Sequence, residues 1–145
     1  MSEILTVSQI KVPGSATTKD EAIREAGQIL VDTGAVTPAY VDAMFEREKS
    51  VSTYMGNYLA IPHGTNEAKD EITASALSVV RYDAPIDWDG NETRFVVGIA
   101  GYEGGHLEIL GKIAVIFSDT DEVDKMIAAG SAEEVFALLN AVNEE

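Results

Sequence analysis

"ITASALSVVRYDAPIDWDGNETRFVVGIAGY" runs from Ile72 to Tyr102. Its first part, ITASALSVVRY, is rich in small and β-branched residues and reads as a strand. Its last part, TRFVVGIAGY, is continuously apolar, the pattern of a strand buried on both faces. Between them DWDGNE carries Asp89-Gly90, a dipeptide favoured where both central residues of a hairpin turn take positive φ. The stretch therefore predicts an antiparallel pair whose second strand needs a covering layer on each side.

The flanking sequence supplies those layers. Upstream, TTKDEAIREAGQILVDTG reads as a helix, with Thr18 and Glu21 at capping-box spacing. Ala22, Ile23, Ala26, Ile29 and Leu30 repeat on one face, and Gly34 sits where a left-handed terminator belongs. TPAYVDAMFEREKS is a second helix, with Thr37 as cap, Pro38 at the first helical position and an apolar face of Val41, Met44 and Phe45. Residues 3–10 alternate weakly, as a strand would, and YLAI (Tyr58–Ile61) is a short strand candidate. Downstream, HLEILGKIAVIFSD is a largely buried helix through Leu107, Leu110, Ile113, Ala114 and Phe117. DTDEVDKMIAAG is a short helix, and SAEEVFALLNAV closes the chain with a second capping box at Ser131 and Glu134. Helices before, between and after strands imply an α/β fold: one domain over residues 1–145, three-layered, with a mixed β-sheet flanked by helices on both faces.

Composition excludes several classes of function. The chain has 145 residues, 25 acidic against 10 basic, for a formal net charge of −15. Phosphate neutralisation needs clustered Lys and Arg, so nucleic acid is not an expected partner. Such a field instead steers a positively charged protein inward. There is no cysteine, hence no disulfide or thiolate metal site. No apolar run has the length of a membrane span, and MSEILTVSQIKVPGS lacks the layout of a signal peptide. The expected location is the cytoplasm, with no direct insertion into a membrane. No glycine-rich nucleotide loop, G-x-S-x-G or H-E-x-x-H motif occurs.

The two histidines carry the candidate chemistry. His63 lies in NYLAIPHGTNEAKD (Asn57–Asp70), on a Pro-His-Gly corner after a strand. Such a corner exposes the ring, and Gly64 lets a bulky group approach the backbone. An exposed neutral imidazole is a competent nucleophile; the alternative is a solvent-facing turn histidine. His106 follows Gly104 and Gly105 and opens a helix, where free N–H groups favour an anion; the alternative is an ordinary polar residue at a helix terminus. Arg47, in FEREKS, is either a cation that grips a phosphoryl oxygen or a complement to a helix C-terminus. Neither histidine has a second ligand at metal-binding spacing, so no metal or other cofactor is expected. Trp88 and the tyrosines read as packing residues.

The stretches ATTKDEAIREAGQILVDTGAVTPAYVDAMFEREKS, TYMGNYLAIPHGTNEAKDEI, RFVVGIAG and HLEILGKIA together resemble the mannitol/fructose-type IIA component of the bacterial phosphoenolpyruvate-dependent sugar phosphotransferase system. The mannitol-specific branch is the nearest in pattern. The resemblance implies a phosphotransferase whose phosphoacceptor falls on His63, with His106 in the same active site and Arg47 near it. It implies that phospho-HPr donates the phosphoryl group. The acceptor is then the IIB domain of a membrane permease that also carries IIC. Nε2 is the ring nitrogen it implies for the phosphate. HLEIL is as similar to fructose-type and nitrogen-regulatory relatives, so a IIA protein that signals by its phosphorylation state is the alternative.

Overall fold

The computed structural model describes residues 4–50, 52–102 and 106–140, with backbone alone for Asn66, Glu67, Lys69, His106 and Leu107. Strands β4 (Ala76–Trp88) and β5 (Asn91–Ala100) form the expected hairpin. Trp88 pairs with Asn91, and the two loop residues Asp89 and Gly90 have φ of 55° and 94°. Both are positive, as the type I′ turn requires. β4 starts four residues later than expected and runs six further, into the turn. Its ladder is irregular from Arg81 to Ile86, a five-residue step that faces a two-residue step from Phe95 to Thr93. Pro85 lies in that stretch and has no N–H to give to a ladder.

Around the hairpin, β1 (Ile10–Lys11), β2 (Tyr54–Gly56) and β3 (Leu59–Ala60) complete a five-stranded sheet of order β1-β4-β5-β3-β2. β1 runs parallel to β4, β3 parallel to β5, and β2 antiparallel to β3, so the sheet is mixed. The strand expected over residues 3–10 shrinks to β1. Glu3 lies outside the described residues, and Val7–Gln9 form a 3₁₀ turn. The Gln9 amide donates to the carbonyls of Ile4 (3.0 Å) and Leu77 (2.6 Å), taking the place of ladder bonds in this segment.

The helices are α1 (Lys19–Asp32), α2 (Pro38–Ser50), α3 (His106–Phe117), α4 (Thr120–Ala128) and α5 (Ala132–Leu139). Alternation along the central strands assigns them to layers. Leu77, Val79, Phe95, Val97 and Ile99 pack with Ile113, Phe117, Met126 and Val135 of α3–α5. Val80, Tyr82, Val96 and Ala100 pack with Ile23, Ala26, Leu30, Tyr40 and Met44 of α1 and α2. The result is the three-layer arrangement read from the sequence. Trp88 is fully buried, as a packing residue should be.

Both capping boxes form in a shifted version. The Thr18 hydroxyl accepts from the Glu21 N–H (3.2 Å), while the Glu21 carboxylate reaches back one residue too far, to the N–H (3.0 Å) and hydroxyl of Thr17. Ser131 and Glu134 repeat this, with the carboxylate on the Gly130 N–H (3.2 Å). In each case the N–H satisfied precedes the cap instead of belonging to it. The Thr37 hydroxyl, expected to cap α2, donates to the Glu71 carboxylate.

Glu25 ties the first layer to the sheet. Its carboxylate accepts from Lys11 Nζ (2.6 Å), the Ser15 hydroxyl (2.7 Å) and N–H (3.0 Å), and the Tyr82 hydroxyl (2.6 Å). Burial pushes its pKa up, but the bonds from Lys11, Tyr82 and Ser15 outweigh burial and hold it at about 2, against 4.5 unperturbed. A carboxyl depressed in the fold adds stability above the unfolded pKa and loses it as pH falls through the folded one. Urea unfolding should therefore show Glu25→Gln less stable than the parent at pH 7. The gap should close between about pH 4.5 and pH 2.

Candidate active site

The Pro-His-Gly corner lies at the carboxyl end of the parallel pair β3 and β5. β3 ends at Ala60, ahead of the corner, and one isolated bridge follows it. The Ile99 N–H donates to the Pro62 carbonyl (3.1 Å), and His63 bridges Ile99 in parallel register. Proline loses only its donor, and its carbonyl still serves the ladder. The chain turns away at Gly64. Pro62 is buried, and His63 is half-buried where an exposed ring was expected.

The ring itself is held. His63 Nδ1 lies 2.8 Å from the carbonyl oxygen of Ile61. A carbonyl can only accept, so Nδ1 carries the proton, and the neutral ring keeps its lone pair on Nε2. The bulky neighbour that Gly64 admits comes from within the protein. A Cβ on Gly64 would fall 2.5 Å from Cε1 of Tyr40. The Tyr40 hydroxyl accepts from the Gly64 N–H (2.9 Å) and donates to the Ile99 carbonyl (2.7 Å). Burial raises its pKa, which keeps it a donor.

His106 is the first residue of α3, and α3 follows the carboxyl end of β5 after a short connection. The topology thus brings the helix start to the strand end where His63 bridges Ile99. This is the crevice position at which open α/β sheets take ligands. The His106 side chain and the Gly104-Gly105 turn lie outside the described residues. Arg47 is half-buried on α2, two turns beyond Tyr40 and about 10 Å along the axis on the same stripe.

Sequence reasoning missed two residues here. Tyr40 is buried at 2% exposure, in keeping with its reading as a packing residue, but its hydroxyl also makes two bonds that the reading left out. The signal available was its place four residues before Met44, since a buried tyrosine needs a partner for its hydroxyl. The other is Glu48, beside Arg47. Its buried carboxylate accepts from the Thr53 N–H (3.0 Å) and hydroxyl (2.5 Å), and from Trp88 Nε1 (3.1 Å). Lys19 Nζ stands 3.3 Å away and also pairs with Asp89 at 2.7 Å. This cluster moors the last turn of α2, and Arg47 with it, to the sheet. Among the described residues no group of three or more His, Asp or Glu is placed to hold a metal ion.

Comparison with known proteins gives the family of the chain. Residues 3–142 match the family model described as "Phosphoenolpyruvate-dependent sugar phosphotransferase system, EIIA 2". The chain belongs to this family and is a IIA-type phosphotransferase. It is 54% identical over 141 residues to a "Mannitol-specific phosphotransferase enzyme IIA component" of Halalkalibacterium halodurans, covering 97% of each chain. Its fold is similar to that of IIA mannitol from Escherichia coli, with a TM-score of 0.86 at 35% identity over 93% of this chain and 98% of that one. It is also similar to a chain in the complex of enzyme IIAMTL and phosphorylated enzyme IIBMTL from Escherichia coli. That match has a TM-score of 0.87 at 34% identity, over 93% and 96% of the two chains.

Loss of the Glu48 anchor strands three donors at once. Glu48→Ala should lower the unfolding free energy by about 3 kcal/mol, in the range for breaking one side of a buried ionic cluster. Urea denaturation followed by Trp88 fluorescence measures it.

Proposed function

We propose that this chain is the IIA phosphocarrier of a mannitol phosphotransferase system. It takes a phosphoryl group from phospho-HPr on His63 and passes it to a IIB domain for mannitol uptake and phosphorylation. The observation that carries this reading is the bond between His63 Nδ1 and the Ile61 carbonyl, which leaves Nε2 as the nucleophile. The choice of mannitol rests on the 54% identity to a mannitol-specific IIA component along nearly the whole chain. The IIB partner follows from the similarity to the IIA chain of a IIA–IIB complex.

In the transfer, the Nε2 lone pair attacks phosphorus in line with the P–N bond of phospho-HPr. That bond breaks, and its electron pair returns to the imidazole of HPr. The second transfer repeats this toward IIB, with Nε2 as leaving group. Little covalent chemistry is asked of the protein, so positioning and charge stabilisation dominate. Arg47 and His106 are assigned as donors to the equatorial phosphoryl oxygens, where charge is densest in the transition state. As balanced, neither step calls for a metal or a nucleotide. The whole of residues 1–145 acts as one IIA domain. No helix among the described residues is long and apolar enough to cross a membrane. We assign the chain to the cytoplasm, where HPr would meet it.

Incubation with phosphoenolpyruvate, enzyme I and HPr should label the protein with acid-labile, base-stable phosphate. His63→Ala should abolish the label, and label equal to the parent's would overturn the reading. His106→Ala and Arg47→Ala should each slow transfer by about 10²–10³-fold, the usual effect of removing one donor to a developing charge.

The net charge of −15 makes the encounter with HPr sensitive to salt. The second-order rate of phosphorylation should fall several-fold between roughly 0.01 and 0.15 M ionic strength, as the screening length drops from about 30 to about 8 Å. Rapid-quench measurements over that range test this.

A further inference from the structure

We propose that the Tyr40 hydroxyl is a positioning group for the phosphoacceptor. Bonded to both Gly64 and Ile99 beside the isolated His63–Ile99 bridge, it holds the chain where it leaves the sheet and so positions the His63 ring. The proposal rests on His63 being the acceptor and adds a residue to which the resemblance gives no role.

Ladder geometry carries the argument. When one residue bridges another in parallel register, two bonds flank the step. Here the first runs from the Ile99 N–H to the Pro62 carbonyl (3.1 Å). The second would run from the Gly64 N–H to the Ile99 carbonyl. The Tyr40 hydroxyl links the same two groups, accepting from Gly64 at 2.9 Å and donating to Ile99 at 2.7 Å. Its polarity is unambiguous, because the N–H can only donate and the carbonyl can only accept. One oxygen atom thus gives both backbone groups a partner.

The consequence falls on His63. Its backbone is held on one side by the Pro62–Ile99 bond and on the other by the hydroxyl at Gly64. Its ring is tied to Ile61. Fixing both flanks fixes where Nε2 stands. Gly64 is part of the same device, since any Cβ there would meet the phenol ring at 2.5 Å. Packing alone does not account for the hydroxyl. A phenylalanine would fill the same volume beside Met44, and both hydroxyl partners belong to the corner. Burial raises the Tyr40 pKa, so the hydroxyl remains protonated and keeps both bonds.

The test is Tyr40→Phe in the full chain, under conditions where circular dichroism shows it folded. We expect the second-order rate of phosphorylation by phospho-HPr to fall about tenfold or more. In the unphosphorylated protein, ¹⁵N spectra of the His63 ring should lose the single Nδ1–H tautomer, and the Gly64 amide should exchange faster with solvent. Gly64→Ala, which pushes the phenol ring away from the other side, should move all three readouts in the same direction. That variant decides the matter if Tyr40→Phe does not fold. A parental rate in the folded variant overturns the proposal, whatever the spectrum shows. A slower rate with an unchanged ring tautomer and unchanged Gly64 exchange also overturns it, because the loss would not pass through the corner. The ring and amide measurements need no phosphate. Failure of the acceptor reading itself would appear separately, as parental label on His63→Ala.

Discussion

Strand β5 has to be covered on both faces and paired along both edges, and the rest of the molecule answers that demand. Its side chains alternate between Phe95, Val97 and Ile99 toward α3–α5 and Val96 and Ala100 toward α1 and α2. No single layer can bury such a strand, so helices must lie on each side of the sheet. Its backbone needs partners just as strictly, because an unpaired N–H or carbonyl in the core is costly. β4 supplies them on one edge through a two-residue turn. β3 supplies them on the other, but is only two residues long. Beyond it, the last backbone groups of β5 depend on Pro62 and Tyr40. The candidate site therefore arises where the pairing of the most buried strand runs out.

Charge is divided in the same practical way. Of the 25 acidic residues, Glu25 and Glu48 are drawn inward as anchors, each meeting a lysine and at least one hydroxyl or indole donor. Each is multiply bonded, which is what offsets the desolvation of a carboxylate. Glu25 joins α1 to β4 and to the segment after β1, while Glu48 joins α2 to the hairpin end and to the approach to β2. Exposed pairs such as Lys49–Glu46 add little to stability, since water competes with both partners.

What could be read from the sequence follows from how local each cause was. The hairpin turn, the helix caps and the alternation of β5 are set by residues close in the chain, so Asp89-Gly90, Thr18 and Ser131 announced them directly. The layer order followed because a strand with an unbroken apolar run from Phe95 to Ala100 has few ways to be buried. The short strands were harder. β1 is cut to two residues because Gln9 replaces backbone bonds with side-chain bonds to Ile4 and Leu77, 68 residues away in the second case. β2 is stitched in by Glu48 through Thr53. The bonds of Tyr40 were invisible for the same reason: its hydroxyl meets Gly64 and Ile99, 24 and 59 residues distant. His63 was singled out by its corner, but its tautomer depends on a carbonyl two residues back, which no periodicity reveals.

Helix α2 then stands out as the element that serves the site along its whole length. Tyr40, in its first turn, bonds Gly64 and Ile99 on either side of the bridge at His63. Glu48, in its last, fixes its far end through Trp88, Thr53 and Lys19. Arg47 lies between these two moorings, one residue from the second. A long cationic side chain has many rotamers, and fixing it in one place costs side-chain entropy. A helix anchored at both ends reduces that cost by removing motion of the backbone that carries the arginine. The same rigidity couples the two ends. A shift of the Glu48 cluster would move Arg47 directly and Tyr40 through the helix, and so would reach His63 without touching it. The apolar face of α2 explains why it packs on the sheet. Tyr40 and Glu48, through their hydrogen bonds, explain why it is fixed at both ends.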